Sequence, residues 1–342
     1  MSAAIVSVPA PEHDHEDHPE NARRLPAIEK AIHATGLHGR LTHLAARPAT
    51  DEELTRVHPA SYVAALERAM AHAPGYLDHA PTYFTSASFA SARLAAGGAL
   101  RAVDAVLAGE ADTAFALVRP PGHHCLPDQA MGFCLFSNAA LAARHLQARG
   151  LQRILIVDFD VHHGNGTQAA FYADPSVLFI STHQQGIYPL SGAEDETGAA
   201  DGQGATINVP VPAGAGDRAF ARILETLIAP AAARFQPDFL LVSAGYDAHW
   251  RDPLAALQLS TTGYFQLVRG LRALAQAQCA GRLALILEGG YDPHALADSV
   301  AASLHALLGE DSAPDPLGGA PYPEPLARVE AALYRLRARH AL

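Results

Sequence analysis

Cysteine is scarce in this chain. Its 342 residues hold three, Cys125, Cys134 and Cys279, an odd and widely spaced set. That excludes a disulfide framework and favours a reducing compartment. Long apolar runs are missing as well: none approaches the roughly 20 residues of a membrane-spanning helix. The amino-terminal stretch MSAAIVSVPAPEHDHEDHPE has no basic segment leading into an apolar one, so it does not read as a secretory signal. A soluble, cytoplasmic protein with no membrane partner is expected. Basic charge is in deficit, with 24 Lys and Arg against 35 Asp and Glu and a net charge of −11. This argues against direct nucleic-acid binding and is compatible with cationic substrates. No internal repeat is present. What the chain has in quantity is apolar residue, 49% against 17% charged, enough at this length to bury a large core.

Short apolar runs alternate with longer helical stretches. Strands are expected at Phe115–Val118, Ile154–Phe159, Val177–Ser181, Phe239–Ser243 and Leu283–Leu287. They are almost wholly apolar, as strands covered on both faces should be. Helices are expected at Asn138–Arg149, Gly166–Tyr172, Asp217–Arg234, Thr262–Ala277 and Pro293–Leu308. Ser137 or Asn138 can cap the first and Gly150 end it, Thr261 or Thr262 can cap another, and Pro293 suits a first helical position. The alternation predicts an α/β fold, a mainly parallel central sheet flanked by helices in three layers. Residues 1–310 read as a single domain. Residues 311–342 read as a Pro- and Gly-rich linker and a carboxy-terminal helix, with Leu326, Val329, Leu333 and Leu336 on one face. That face packs on the body or, as the lesser alternative, makes a homo-oligomer. Ser191–Gly204, with its acidic run Glu194–Glu196, reads as a solvated loop, and so does the segment carrying His13, His15 and His18.

In open parallel sheets ligands gather at the carboxyl ends of strands. After Ile154–Val157 comes Asp158-Phe159-Asp160-Val161-His162-His163-Gly164-Asn165. Alternate residues of extended chain share a face, which puts Asp158, Asp160 and His162 together. Two carboxylates and an imidazole converging there call for a cation. Asp247 follows another apolar strand. Asp160, His162 and Asp247 would make a three-ligand site with a position left for water, as catalytic zinc uses; alone, an Asp-x-His pair is equally a buried ion pair or a helix cap. Arg119-Pro120-Pro121-Gly122-His123-His124 ends a third strand, and adjacent histidines beside a metal suit proton transfer. Glu288-Gly289-Gly290-Tyr291 ends a fourth, where a tyrosine hydroxyl can meet a developing oxyanion. Cys134 reads as a redox-sensitive thiol or as a small buried hydrophobe.

Taken in order, Arg119–His124, Gly132-Phe133-Cys134, Asp158–Gln168, Gly245-Tyr246-Asp247 and Glu288–Tyr291 resemble the signatures of zinc-dependent histone deacetylases. The RPPGHH and DVHHGNGTQ forms, with His18-Pro19-Glu20 and Arg24-Leu25, are similar to the class II branch and its bacterial deacetylase-like and acetylpolyamine amidohydrolase relatives. The resemblance implies an arginase-like α/β fold, one zinc ion on Asp160, His162 and Asp247, and hydrolysis of acetyl amides to acetate and amine. It implies His124 as general base and acid, His123 as its electrostatic partner backed by Asp158, Asn165 behind His124, and Tyr291 as oxyanion donor. It further implies potassium at Asp158, Asp160, His162, Ser181 and Thr182. Gly164 and His249 stand where binuclear manganese relatives need further carboxylates, so one metal is expected. The family's substrate tunnel maps to Gly132, Phe133 and Tyr188, with Leu254 at the rim. Leucine there, where polyamine-specific relatives often carry an acid, favours acetylated lysine in peptides or proteins over acetylated polyamines. A rim aspartate of many relatives is replaced near Pro81, with Asp78 close by.

Overall fold

The computed structural model describes residues 1–79 and 81–342. Among the described residues ten strands are present: β1 (Ala3–Val8), β2 (Thr42–Leu44), β3 (Gly75–Tyr76), β4 (Tyr83–Phe84), β5 (Thr113–Val118), β6 (Ile154–Asp158), β7 (Val177–Gln184), β8 (Thr206–Val211), β9 (Phe239–Ala244) and β10 (Leu283–Leu287). Eight form one sheet in the order β2-β1-β5-β10-β9-β6-β7-β8, and β3 pairs with β4 in a small antiparallel ribbon. Every pairing in the large sheet is parallel. The fold is therefore α/β with a central parallel sheet, as the alternation of runs predicts.

Along β5, Phe115 and Leu117 enter one apolar layer, while Ala114, Ala116 and Val118 enter the other. The first layer is closed by helices Arg24–Ala34, Asp217–Ile223, Thr261–Gln278, Pro293–Leu307 and Leu326–His340. The second is closed by helices Ser88–Leu107 and Asn138–Ala148, whose alanines let them lie close to the strands. Each fully buried Val, Leu, Ile or Phe contributes roughly 1.5–3 kcal/mol, so much of the stability resides in these two layers, with a smaller third cluster around Leu54, Phe89, Leu100 and Phe136.

Several local expectations need correction. β6 ends at Asp158, and the chain beyond it is not extended. Asp158 accepts from Asp160 N at 3.1 Å and Asp160 from His162 N at 2.9 Å, two successive aspartate turns. Ser137 occupies the cap position of Asn138–Ala148 without a side-chain cap bond. Thr261–Gln278 is capped by Ser260, whose hydroxyl accepts from Gly263 N, not by Thr261 or Thr262. The span 217–234 is interrupted by a π-helical turn, Leu224–Ile228, directly before Pro230 in the following Ala229–Phe235; proline has no N–H to continue the α-helical ladder.

The histidine-rich start is solvated only in part: His15 and its neighbours Asp14, Glu16 and Asp17 are exposed, but His13 and His18 are not. His13 and His18 are 1% and 5% exposed. His13 stacks on Tyr83 at 4.5 Å, and His18 stands edge-on to Phe133 at 4.5 Å. Glu196 is likewise structural, accepting from Gln168, Gly192 N and Ala193 N. The stretch before the last helix is tied down: Glu324 accepts from Gly216, Arg218 and Ala219 amides, and Asp315 from Thr262. In the last helix Val329, Leu333 and Leu336 are buried, and all three belong to the first apolar layer. Among the described residues no helix is long and apolar enough to cross a membrane.

Candidate metal centre and active site

The four middle strands, β5, β10, β9 and β6, carry the chemistry. They are adjacent in the sheet although β9 and β10 come last in the chain. Their carboxyl ends deliver His123 and His124, Tyr291, Asp247, and Asp158 through His162 to one place. Insertion of late strands between early ones makes a topological switch point, where such folds bind ligands.

At its centre His162 Nδ1 lies 3.2 Å from both Asp160 Oδ1 and Asp247 Oδ2. Donor atoms of these three residues all lie within 4.8 Å of one another, the one such group among the described residues. Both carboxylates are 1% exposed. Each is further aimed by a backbone amide, Gly289 N to Asp160 Oδ2 at 2.9 Å and Val161 N to Asp247 Oδ1 at 2.9 Å. A side chain at Gly245 would put Cβ 2.1 Å from Asp160 Oδ2, and one at Gly289 2.3 Å from Asp247 Oδ2. Both glycines are thus required for the backbone to approach the donors.

The electrostatics favour a cation here. Burial alone would lower the His162 pKa, yet hydrogen bonds to Asp160 and Asp247 outweigh it and push it up to about 10. Burial disfavours ionised Asp160, but His123 and His162 hold its carboxyl well below the usual range. Two carboxylate oxygens and an imidazole nitrogen, converging and almost wholly out of solvent, fit a divalent ion of the zinc type. A side chain at Gly164 would put Cβ 2.1 Å from Asp158 Oδ2, so the further carboxylate that a binuclear manganese centre needs has no room at this position.

Beside this group stand the paired histidines, with ring centres 4.0 Å apart. His123 Nδ1 is 3.1 Å from Asp158 Oδ2. Burial opposes a charge on His123, but Asp160 and Asp158 outweigh it and raise its pKa well above the ordinary value. His124 goes the other way: burial, then the neighbouring His123 and His162, depress it well below. Its Nδ1 contacts Asn165 Oδ1 at 2.7 Å. A carbonyl oxygen only accepts, so Nδ1 carries the proton and Nε2 keeps its lone pair. Glu288 supports the pair from below, accepting from Gly122 N at 2.7 Å and His123 N at 3.1 Å. Burial, countered in part by His123, moves its carboxyl up to about 7.

A cavity of about 200 Å³ reaches the donor group at His162. It is lined by His124, Gly132, Phe133, His162, Tyr188, Leu254 and Tyr291. Gly132 and Phe133, Tyr188 and Leu254 therefore lie where the resemblance puts the tunnel, and Leu254 is 39% exposed. Gly132 and Phe133 both have positive φ, +56° and +69°. That wall is fixed by Asp78 accepting from Gly132 N at 3.2 Å and by Thr82 Oγ1 accepting from Phe133 N at 2.9 Å. Tyr291 stands edge-on to Phe133 at 5.9 Å, and burial, then Asp247, raises its hydroxyl well above the phenol range. Cys134 is fully buried and its thiol is pushed well up by burial, which favours the inert, apolar reading.

Behind the site the structure brings in residues whose roles the sequence did not disclose. Arg24 donates to Gly290 O at 2.8 Å and Glu288 O at 2.6 Å. Glu20 joins it to the histidine loop, pairing with both Arg24 and Arg119. Asp252 holds the tyrosine loop. Ser181 and Thr182 flank Asp158, Thr182 Oγ1 donating to its carbonyl at 3.2 Å, but the Ser181 hydroxyl contacts His183.

A converging donor group, paired histidines and a tyrosine at one cavity are the kinds of group that a metal-assisted hydrolase would need. The comparisons with known proteins make this specific. The histone deacetylase domain model matches residues 18–307. Histone deacetylase 14, chloroplastic, of Arabidopsis thaliana is 44% identical over 96% of this chain and 82% of its own length. The histone deacetylase-like amidohydrolase of Pseudomonas aeruginosa is 46% identical over 81% of this chain and 72% of its own length. The crystal structure of the HDA15 HD domain superposes with a TM-score of 0.89 at 36% identity, covering 99% of this chain and 94% of the other. The chain belongs to the histone deacetylase family, and its fold is the deacetylase-like α/β fold.

Proposed function

We propose that this protein is a zinc-dependent deacetylase that hydrolyses Nε-acetyl-lysine in peptides or proteins and releases acetate. One observation carries the reading: a cavity walled by Phe133 and Tyr188 reaches His162, which is grouped with Asp160 and Asp247, and has His124 and Tyr291 on its lining. Flat apolar walls suit the uncharged methylene stem of lysine. Asp160, His162 and Asp247 would hold the ion, which would supply Lewis acidity toward the amide carbonyl and a bound water.

The protein's own groups do the rest. His124 is held neutral by burial, and its Nε2 accepts a proton from water and returns it to the leaving amine. Asn165 fixes the tautomer this requires. His123, kept protonated by Asp158 and Asp160, keeps a positive charge beside the reacting centre. Tyr291 stays protonated and donates to the oxyanion, a role typically worth roughly 10²–10³ in rate. A structural potassium ion on Asp158, Asp160, His162, Ser181 and Thr182 belongs to the same proposal.

Acetylated polyamines are the alternative substrate class. Asp78 favours them, because it places a carboxylate behind the Gly132 wall, although that carboxylate is already engaged by Gly132 N and Thr82 N. Steady-state competition of an acetyl-lysine peptide against acetylputrescine decides between the two. The proposal expects the higher kcat/KM for the peptide; a preference for acetylputrescine would transfer the assignment to the polyamine class.

A further inference from the structure

One buried carboxylate near the cavity has no part in the chemistry above. Asp252, 7% exposed, lies in the loop between β9 and helix Thr261–Gln278. Its Oδ2 accepts from Tyr291 N at 2.7 Å and from Asp292 N at 3.4 Å, and its Oδ1 accepts from Leu254 N at 3.0 Å. Among the described residues it makes no ion pair with Arg, Lys or His. Its burial is compensated by backbone N–H groups alone.

Those amides belong to two pieces of chain that meet at the cavity. One carries the tyrosine at the floor, the other the leucine at the rim. Tyr291 needs such an anchor. Gly290 before it sits at φ +124°, a conformation that glycine adopts freely and that does not constrain the next residue. The Tyr291 ring itself has only packing partners, the Arg24 guanidinium at 5.2 Å and the Phe133 edge at 5.9 Å. A donor displaced by about 1 Å can lose on the order of 10²-fold in rate.

We propose that Asp252 is a positioning residue for Tyr291: its carboxylate clamps the backbone of the oxyanion donor and ties it to Leu254 at the cavity rim. The inference rests on the proposed donor role of Tyr291, and it goes beyond that role by naming the group through which the hydroxyl is aimed.

The test is a double-mutant cycle on an acetyl-lysine peptide, with zinc per chain measured for every protein. Asp252→Ala and Asp252→Asn are made alone and combined with Tyr291→Phe. Alone, Asp252→Ala is expected to lower kcat on the order of 10–100-fold with little change in KM. Asp252→Asn, nearly isosteric and keeping one acceptor, is expected to fall between it and the parent, and it reads the effect if the alanine variant does not fold. In the Tyr291→Phe background the Asp252 substitutions should add less than about twofold, since the hydroxyl they act through is gone. An equal loss in both backgrounds, or a loss that follows zinc content, overturns the clamp. So does a silent Asp252→Ala beside a crippled Tyr291→Phe. Full activity in Tyr291→Phe alone overturns instead the donor role on which the inference stands.

Discussion

The floor and the rim of the cavity are built differently. At the floor Asp160, Asp247 and His123 are almost wholly buried, and each residue makes at least two hydrogen bonds. At the rim Leu254 is 39% exposed, and the wall residues Gly132 and Phe133 hang on single bonds from Asp78 and Thr82. On the proposed function the floor would carry the bond-breaking chemistry, and the rim would choose the substrate. Floor substitutions should strike every substrate alike. Rim substitutions should change the ranking among substrates.

Asp247→Ala gives the largest effect expected of this contrast. It removes one of three donors, and acetate release from peptide and polyamine substrates should both fall below detection, together with bound zinc by metal analysis. A variant that keeps its metal and a tenth of its rate would show that the floor is less committed than its burial suggests.

Next comes the frame beneath the floor. Glu20 is fully buried between Arg24 and Arg119, and Glu20→Gln leaves two guanidiniums short of a counter-charge, at a cost of about 3–5 kcal/mol in urea unfolding at neutral pH. Burial would raise this carboxyl, but Arg119 outweighs it and holds it well below its ordinary 4.5. A depressed folded pKa stabilises the native state fully above the unfolded value and loses that contribution as pH falls through the folded one. The gap between parent and variant should therefore be constant above about pH 5 and narrow in acid.

A smaller and more diagnostic change is Asn165→Asp. A carboxylate behind His124 Nδ1 favours the imidazolium, so the proton stays on to higher pH and less of the base form is present. The acid limb of kcat/KM should move up by on the order of one pH unit, for all substrates equally. An unmoved limb would remove His124 from the role of titrating base.

Leu254→Glu is the smallest change to the chemistry and the sharpest test of the rim. A carboxylate at the mouth should raise the acetylputrescine-to-peptide ratio of kcat/KM by about tenfold, and added salt should erode the gain. A fall in both activities with no change in ratio would mean that the rim does not select.

How much of this was legible in the sequence follows from where the information lies. β10 was read to the residue, since a strand buried on both faces is an uninterrupted apolar run. β1 and β8 were not read, because alanine, serine, Asn208 and Pro210 dilute the pattern. Helix Ser88–Leu107 escaped because its alanines and glycines are buried on more than one side, which leaves no stripe of period 3.6. The candidate donors and the residues beside them were legible because Asp160, His162, Asp247, His123, His124 and Tyr291 lie within a few residues of the carboxyl end of a strand, so that local order in the chain becomes convergence in space. His13 and His18 were misread for the opposite reason: their partners Ser88 and Pro81 lie 75 and 63 residues away. Asp252 carried a faint signal, an aspartate before proline close after the Gly245-Tyr246-Asp247 motif. What it holds became visible only when β9 and β10 were seen side by side.

The central claim is best tested by titrating zinc into chelator-treated protein while following acetate release from an acetyl-lysine peptide. Activity absent at the start, rising linearly and breaking at one ion per chain is the expected result, with no rise in an Asp160→Ala control. Full activity in the metal-free protein, or a break at two ions, would contradict the account.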